Sequence, residues 1–170
     1  MTKCTSDCIG FPGVKGRKIE AVFSGQAITS DGGSMLLRAA DMAINLTRRA
    51  ARAFSDPRRK ASCAHGIEAL LRQRVYALAL GYEDLNDHDE LRHDPSLQTA
   101  VGRDAAMASA STLCRFENRI NRRSLWALSE TLVDIFIESH KRPPKEIIFD
   151  FDSTDDRVHG DQEGRFFHGY

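Results

Sequence analysis

Asp150 and Asp152 close an apolar run, Lys145-Glu-Ile-Ile-Phe-Asp150-Phe-Asp152, and Thr154, Asp155, Asp156 and His159 follow within seven residues. In an extended chain a spacing of two places both carboxylates on one face, here near the end of the predicted strand. Two such carboxylates are half of a site for a hard divalent cation. An ion of that kind activates a nucleophile and stabilises a leaving oxygen in phosphoryl transfer. The same pattern fits an ordinary edge strand with solvated acids, and spacing alone leaves both readings open. A small nuclease built on Asp150, Asp152, Asp155, Asp156 and His159 alone is disfavoured, because clustered like charges on one strand and loop repel and do not converge on a single ion.

These acids need a sheet to hold them. Residues 147–151 are expected to form a strand, with Arg165-Phe-Phe-His-Gly-Tyr170 as its hairpin partner across a loop containing Gly160 and Gly164. Two strands alone are marginal in water, so this sheet reads as unfinished. Everything before it is expected to be helical from residue 30 onward. Met35, Leu36, Ala39, Ala40, Ala43 and Ile44 recur at helical spacing to about Asn45, with Asp31 or Ser34 to cap the first turn. Residues 47–54 form a short helix ended by Asp56-Pro57. The strongest helix runs from His65 to Leu80, with Ile67, Leu70, Leu71, Val75, Leu78 and Ala79 on its apolar side and Gly81 as its stop. The acids and histidines of residues 82–95 read as caps and solvated faces rather than as metal ligands. Short helices near residues 96–101 and 109–120 precede a long amphipathic one from Ser124 to about His140, stopped by Lys141-Arg-Pro-Pro144. Residues 1–29, rich in glycine, read as an irregular arm with one short strand at Ile19-Glu-Ala-Val-Phe23.

The 170 residues are 41% hydrophobic and 28% charged, with no apolar run long enough for a membrane span and no signal-peptide pattern. A cytoplasmic location is therefore expected, and with it four reduced thiols at Cys4, Cys8, Cys63 and Cys114. Cys4 and Cys8 lack a second pair at zinc-finger spacing. The net charge of zero hides an uneven distribution: residues 1–60 carry 11 basic and 5 acidic groups, whereas residues 150–170 carry 2 and 6. A basic front and an acidic end suit contact with a polyanion at one place and a cation at another.

Several longer strings carry a resemblance. Ile28-Thr-Ser-Asp-Gly-Gly-Ser34, Leu71-Arg-Gln-Arg-Val75, Leu80-Gly-Tyr-Glu-Asp-Leu-Asn-Asp-His88, Leu91-Arg-His-Asp-Pro95, Asp150-Phe-Asp-Ser-Thr-Asp-Asp156 and Gly164-Arg-Phe-Phe-His-Gly-Tyr170, in this order, resemble bacterial insertion-sequence transposases of the DDE group 1 family. The resemblance covers nearly the whole chain. It implies a helical DNA-binding region followed by an RNase H-like domain that cuts and rejoins element ends with Mg2+ or Mn2+. The expected fold is thus a mainly α N-terminal region, residues 30–144, followed at 145–170 by the first β-hairpin of a truncated RNase H-like α/β domain.

By this resemblance Asp152, two residues before Thr154, is the first catalytic acid, and Asp150 with Asp152 marks the metal site. The later acids of such enzymes do not occur before Tyr170, so a fragment that is inactive alone, with no tightly bound ion, is expected. Its partners would be double-stranded DNA at element ends and, in the complete enzyme, a second copy. Arg48, Arg49 and Arg52 on one short helix, and Arg115, Arg119, Arg122 and Arg123 around another, are the candidates to meet phosphates. The alternative is a stand-alone DNA-binding regulator built on the helical region.

Overall fold

The structure, a computed structural model, describes residues 8–22, 30–59, 63–152, 161 and 163–166. It divides into two units, Met1–Ser139 and His140–Tyr170.

The N-terminal arm is a hairpin. Strands β1 (Cys8–Val14) and β2 (Arg17–Val22) pair antiparallel, with Cys8 opposite Val22 and Phe11 opposite Ile19. Lys15 and Gly16 join them with φ of 47° and 78°, the left-handed two-residue turn whose twist matches that of the strands. The register shifts between Phe11 and Val14. Within that bulge, a Cβ on Gly13 would lie 2.9 Å from the Arg17 carbonyl oxygen, so only glycine fits. Pattern reading missed β1 because Gly10, Pro12 and Gly13 are poor strand formers, yet a bulge tolerates them. The expected strand at residues 19–23 is the last four residues of β2, apart from Phe23, which lies outside the described residues. Phe11 and Ile19 pack against the helical core, which supplies the burial that a two-stranded ribbon lacks alone.

Seven α-helices follow among the described residues: α1 (Ser34–Ile44), α2 (Leu46–Ala50), α3 (Ile67–Ala79), α4 (His88–Leu91), α5 (Pro95–Val101), α6 (Ala110–Glu117) and α7 (Arg122–Ser139). None is long and apolar enough to cross a membrane. α1 stops where Asn45 turns left-handed at φ 55°, and a 3-10 turn at Ala51–Ala53 prolongs α2. α5 begins on Pro95 with the Asp94 carboxylate accepting from the Leu97 N–H at 2.6 Å, an N-cap followed by a residue already set for the helical φ. Asp31 and Ser34 do not cap α1. Gly33 holds the cap position, while both residues are buried: Asp31 accepts from the Tyr82 hydroxyl at 3.0 Å, and Ser34 bonds Ser96 at 3.0 Å.

α3 runs through the middle of the core. Tyr76 and Ala77 join Met35, Leu91, Leu97, Val101 and Met107 in one cluster, and Leu70 joins Ala108, Leu113 and Phe116 in another. Its buried face is Leu70, Gln73, Tyr76 and Ala77, with Leu78 exposed. The expected stripe through Leu78 and Ala79 is thus rotated, because a polar residue, Gln73, sits between the two clusters where hydropathy would place a leucine. α7 packs on α2, with Leu128 and Ile135 half-buried, while Leu125, Trp126, Leu132 and Val133 are exposed.

In the second unit, residues 146–152 form neither helix nor strand. The expected strand at 147–151 and the hairpin it would open are therefore not present among the described residues. A strand exists only through ladder hydrogen bonds, and no described segment pairs with this one. Residues 165 and 166 of the expected partner are irregular as well, and 167–170 lie outside the described residues.

Candidate functional site

The arginines expected to meet phosphate divide into two kinds. Arg48 on α2 and Arg52 in the following turn are exposed and have no ion-pair partner among the described residues. Arg49, between them, is committed elsewhere: its guanidinium donates to both Glu138 oxygens of α7, at 2.5 and 2.9 Å, and Asp134 lies 3.9 Å away. This fork-on-fork pair fastens α2 to α7 and holds the Glu138 carboxyl below its usual range. Arg115 on α6, Arg119 in the turn after it, and Arg122 and Arg123 at the start of α7 are exposed; Arg115 donates to Thr112 and Arg119 to the Arg115 carbonyl. Phe54 and Phe116 meet edge to face at 5.5 Å, so the end of the Arg48–Arg52 segment lies against α6. Phe54, Phe116, Arg119, Asn121 and Ser124 line one hollow there. Asp56, beside it, is held at about 2, first by its hydrogen bond from Arg58 and in smaller part by Arg119. The two arginine groups named from sequence thus belong to neighbouring elements.

What aims α2 is a buried polar knot. The Asp41 carboxylate, 6% exposed, accepts from Thr47 N–H at 2.8 Å, Thr47 Oγ1 at 2.5 Å, Tyr76 OH at 2.9 Å and Arg72 Nε at 3.3 Å. Arg72 also donates to Glu68, one turn back on α3, at 2.5 Å. Burial pushes the Asp41 carboxyl up, but the Thr47 and Tyr76 hydrogen bonds and the Arg72 charge outweigh it and the net direction is down. Tyr76 is pushed up by burial and by Asp41. One carboxylate thereby sets the corner between α1 and α2 on α3, and with it the direction in which Arg48 and Arg52 are presented.

Asp150 and Asp152 are exposed in the irregular segment of the second unit, among exposed Ile148, Phe149 and Phe151. Phe149 and Phe151 stack at 6.0 Å. Thr154, Asp155, Asp156 and His159 lie outside the described residues. Among the described residues no group of three or more His, Cys, Asp and Glu gathers to hold an ion.

Residues 11–170 match the family model described as transposase DDE domain group 1. The chain belongs to that family. No curated protein and no solved structure matches it. Transposases of this family act on DNA and generally use divalent metal ions. Asp150 and Asp152 fit such an ion in kind, as hard oxygen donors, but two carboxylates are only part of a coordination sphere.

In this transposase the residues that sequence reasoning passed over are interior ones. Gln73 donates to the Ala108 carbonyl at 2.9 Å and accepts from the Ala108 N–H at 3.0 Å; its amide also meets His88 Nδ1 at 3.1 Å. His88 is fully buried and held below its ordinary range, chiefly by burial and then by the Arg74 charge. Arg74 itself clasps Glu117 at 2.7 Å and the Tyr82 and Glu83 carbonyls. All three lie within the strings that carry the family resemblance. Their positions were therefore visible, but a string does not say that a polar residue faces inward.

Proposed function

We propose that the helical unit of this transposase binds duplex DNA at element ends, and that Asp152, with Asp150 beside it, provides the first carboxylates of a metal-dependent strand-transfer centre in an RNase H-like domain. The observation that carries this is the family match over residues 11–170. It is supported by the exposure of Arg48, Arg52, Arg115, Arg119, Arg122 and Arg123 on adjacent elements of one unit, since contacts to phosphate fix where a protein sits on DNA before any chemistry begins. A Mg2+ or Mn2+ ion held by Asp152 and Asp150, together with further ligands, would polarise the phosphodiester and stabilise the leaving oxygen. The chain's own contribution is twofold: the arginines position the duplex backbone, and the two carboxylates supply the negative oxygens around which a cation collects. Joining two element ends calls for two copies of the enzyme, working in the cytoplasm at the nucleoid.

The test is Asp152→Asn in the complete enzyme. Strand transfer should be abolished while the affinity for an end duplex, measured by fluorescence anisotropy, stays within about twofold, because removing one exposed carboxylate does not touch the arginine contacts. Loss of binding along with activity would mean that Asp152 holds structure instead.

A further inference from the structure

A second cationic cluster lies away from the arginines considered so far. Arg103, just after α5, donates through Nη1 to the Ala64 carbonyl at 3.1 Å, and Arg58 donates through Nη2 to the His65 carbonyl at 3.0 Å. Arg92 is tied to the same region by its main chain: its carbonyl accepts from Met107 N–H at 3.0 Å and from Gln98 at 2.9 Å, and the Arg103 N–H bonds the Gln98 carbonyl at 2.8 Å. Arg103 and Arg58 are thus fastened to the backbone at residues 64 and 65, beside the His65 ring; that ring is held below its ordinary range first by burial and then by the Arg103, Arg92 and Arg58 charges. Arg58 is neutralised by Asp56 at 2.6 Å. Arg92 and Arg103 have no carboxylate partner among the described residues, although both are half-buried. Three of the cluster's nitrogens, Arg92 Nε, Arg103 Nε and His65 Nδ1, are shut away from solvent without a hydrogen-bond partner.

A half-buried guanidinium without a counter-ion is unfavourable, and so is a shielded N–H without an acceptor. Folded chains tolerate such groups where something outside the chain completes them. Arg92 uses none of its donors on the described residues, and Arg103 uses only Nη1. The outer N–H groups of both guanidinium forks therefore remain for an acceptor from outside the described residues. An imidazole beside them becomes a further donor once an anion offsets the positive field around it.

We propose that Arg92, Arg103 and His65 form a binding site for a phosphate oxyanion, filled by a backbone phosphodiester of the bound DNA. The site lies outside Arg48, Arg52 and the α6–α7 arginines and extends the contact surface to the segment before α3 and the ends of α4 and α5. It rests on the DNA-binding reading above for the source of its phosphate, but not for its chemistry.

Two measurements on the full chain separate these points. In anisotropy titrations across a salt series, the double variant Arg92→Gln, Arg103→Gln should bind an end duplex about tenfold more weakly at low salt, with the slope of log K against log salt reduced by about 0.9, the value for one lost phosphate. The Arg92→Lys, Arg103→Lys variant should recover much of the affinity. Free of DNA, the glutamine variant should unfold at a temperature equal to or above that of the wild type, because it removes uncompensated charge; a purely structural role predicts a fall.

The second measurement follows the His65 imidazole by NMR, its resonance identified with His65→Asn. Adding duplex, or inorganic phosphate as the bare probe, should raise its pKa. A response to inorganic phosphate from a chain that binds no duplex would sustain the oxyanion site and refute the DNA-binding reading. Unchanged affinity and slope in the glutamine variant, together with a silent His65, would overturn the site and leave that reading standing on Arg48 and Arg52.

Discussion

Replacing Asp41 tests how the helical unit is organised. Its carboxylate receives four donors in the interior, and two of the groups that face it, Thr47 and Tyr76, are 0% and 2% exposed. Asp41→Ala leaves the Thr47 N–H, the Thr47 hydroxyl and the Tyr76 hydroxyl without their acceptor, at about 1–2 kcal/mol each, so a loss of roughly 4 kcal/mol is expected. Arg72 keeps Glu68 and the Val101 carbonyl and adds little to that sum. Asp41→Asn preserves the shape and one acceptor oxygen but turns an amide N–H2 toward donors, and should cost about half as much. Against a total stability of roughly 5–15 kcal/mol, the alanine variant is severely weakened but not necessarily unfolded.

The assay is urea unfolding followed by far-ultraviolet circular dichroism. With a slope near 2 kcal/mol per molar, the midpoint should fall by about 2 M for alanine and about 1 M for asparagine. A double-mutant cycle with Tyr76→Phe should show coupling of about 1 kcal/mol or more, since the two groups bond each other directly. The sign of the pH dependence follows from the carboxyl being held below its unfolded value. Its stabilisation is present above a pH of about 4 and is lost as pH falls through the lower folded value, so Asp41→Asn should flatten the acid end of the stability curve. A midpoint shift below about 0.5 M for Asp41→Ala, or additive energies in the cycle, would refute the view that this carboxylate sets the α1–α2 corner.

Arg48→Gln with Arg52→Gln should weaken duplex binding and reduce the salt slope by about 2, whereas Arg49→Gln should leave the slope unchanged because Glu138 already occupies that guanidinium; equal effects of all three in a salt series would contradict the division. His88 is buried as the neutral imidazole with its value held down, so the unfolded chain takes up a proton first and stability falls as pH drops below about 6.5. His88→Asn should remove part of that slope in urea midpoints measured between about pH 7 and 5, leaving the part due to His65, whose value is also held down.

The amino-acid sequence by itself determined where the main helices lie, because periodic apolar positions and the breakers Asp56-Pro57, Gly81 and Pro143-Pro144 act within a few residues of the backbone they shape. It also determined the family, through strings long enough to be specific, and it pointed to Asp150 and Asp152 as the carboxylates to test. Tertiary structure alone decided which polar side chains face inward. Asp41, Gln73 and His88 look like surface residues until partners distant in sequence, Tyr76 for the first and Ala108 for the second, close around them. It decided the hairpin too, since glycine and proline in β1 are unfavourable until a bulge and the helical core accommodate Pro12 and Phe11. The arginines were separated in the same way. Arg48, Arg49 and Arg52 are equivalent in a string of letters, and only the approach of Glu138 on α7, 89 residues from Arg49, makes one a tether and leaves the others facing solvent. Local spacing specifies elements because its physics is local; charge pairing and burial are set by neighbours that the chain brings together only when it folds.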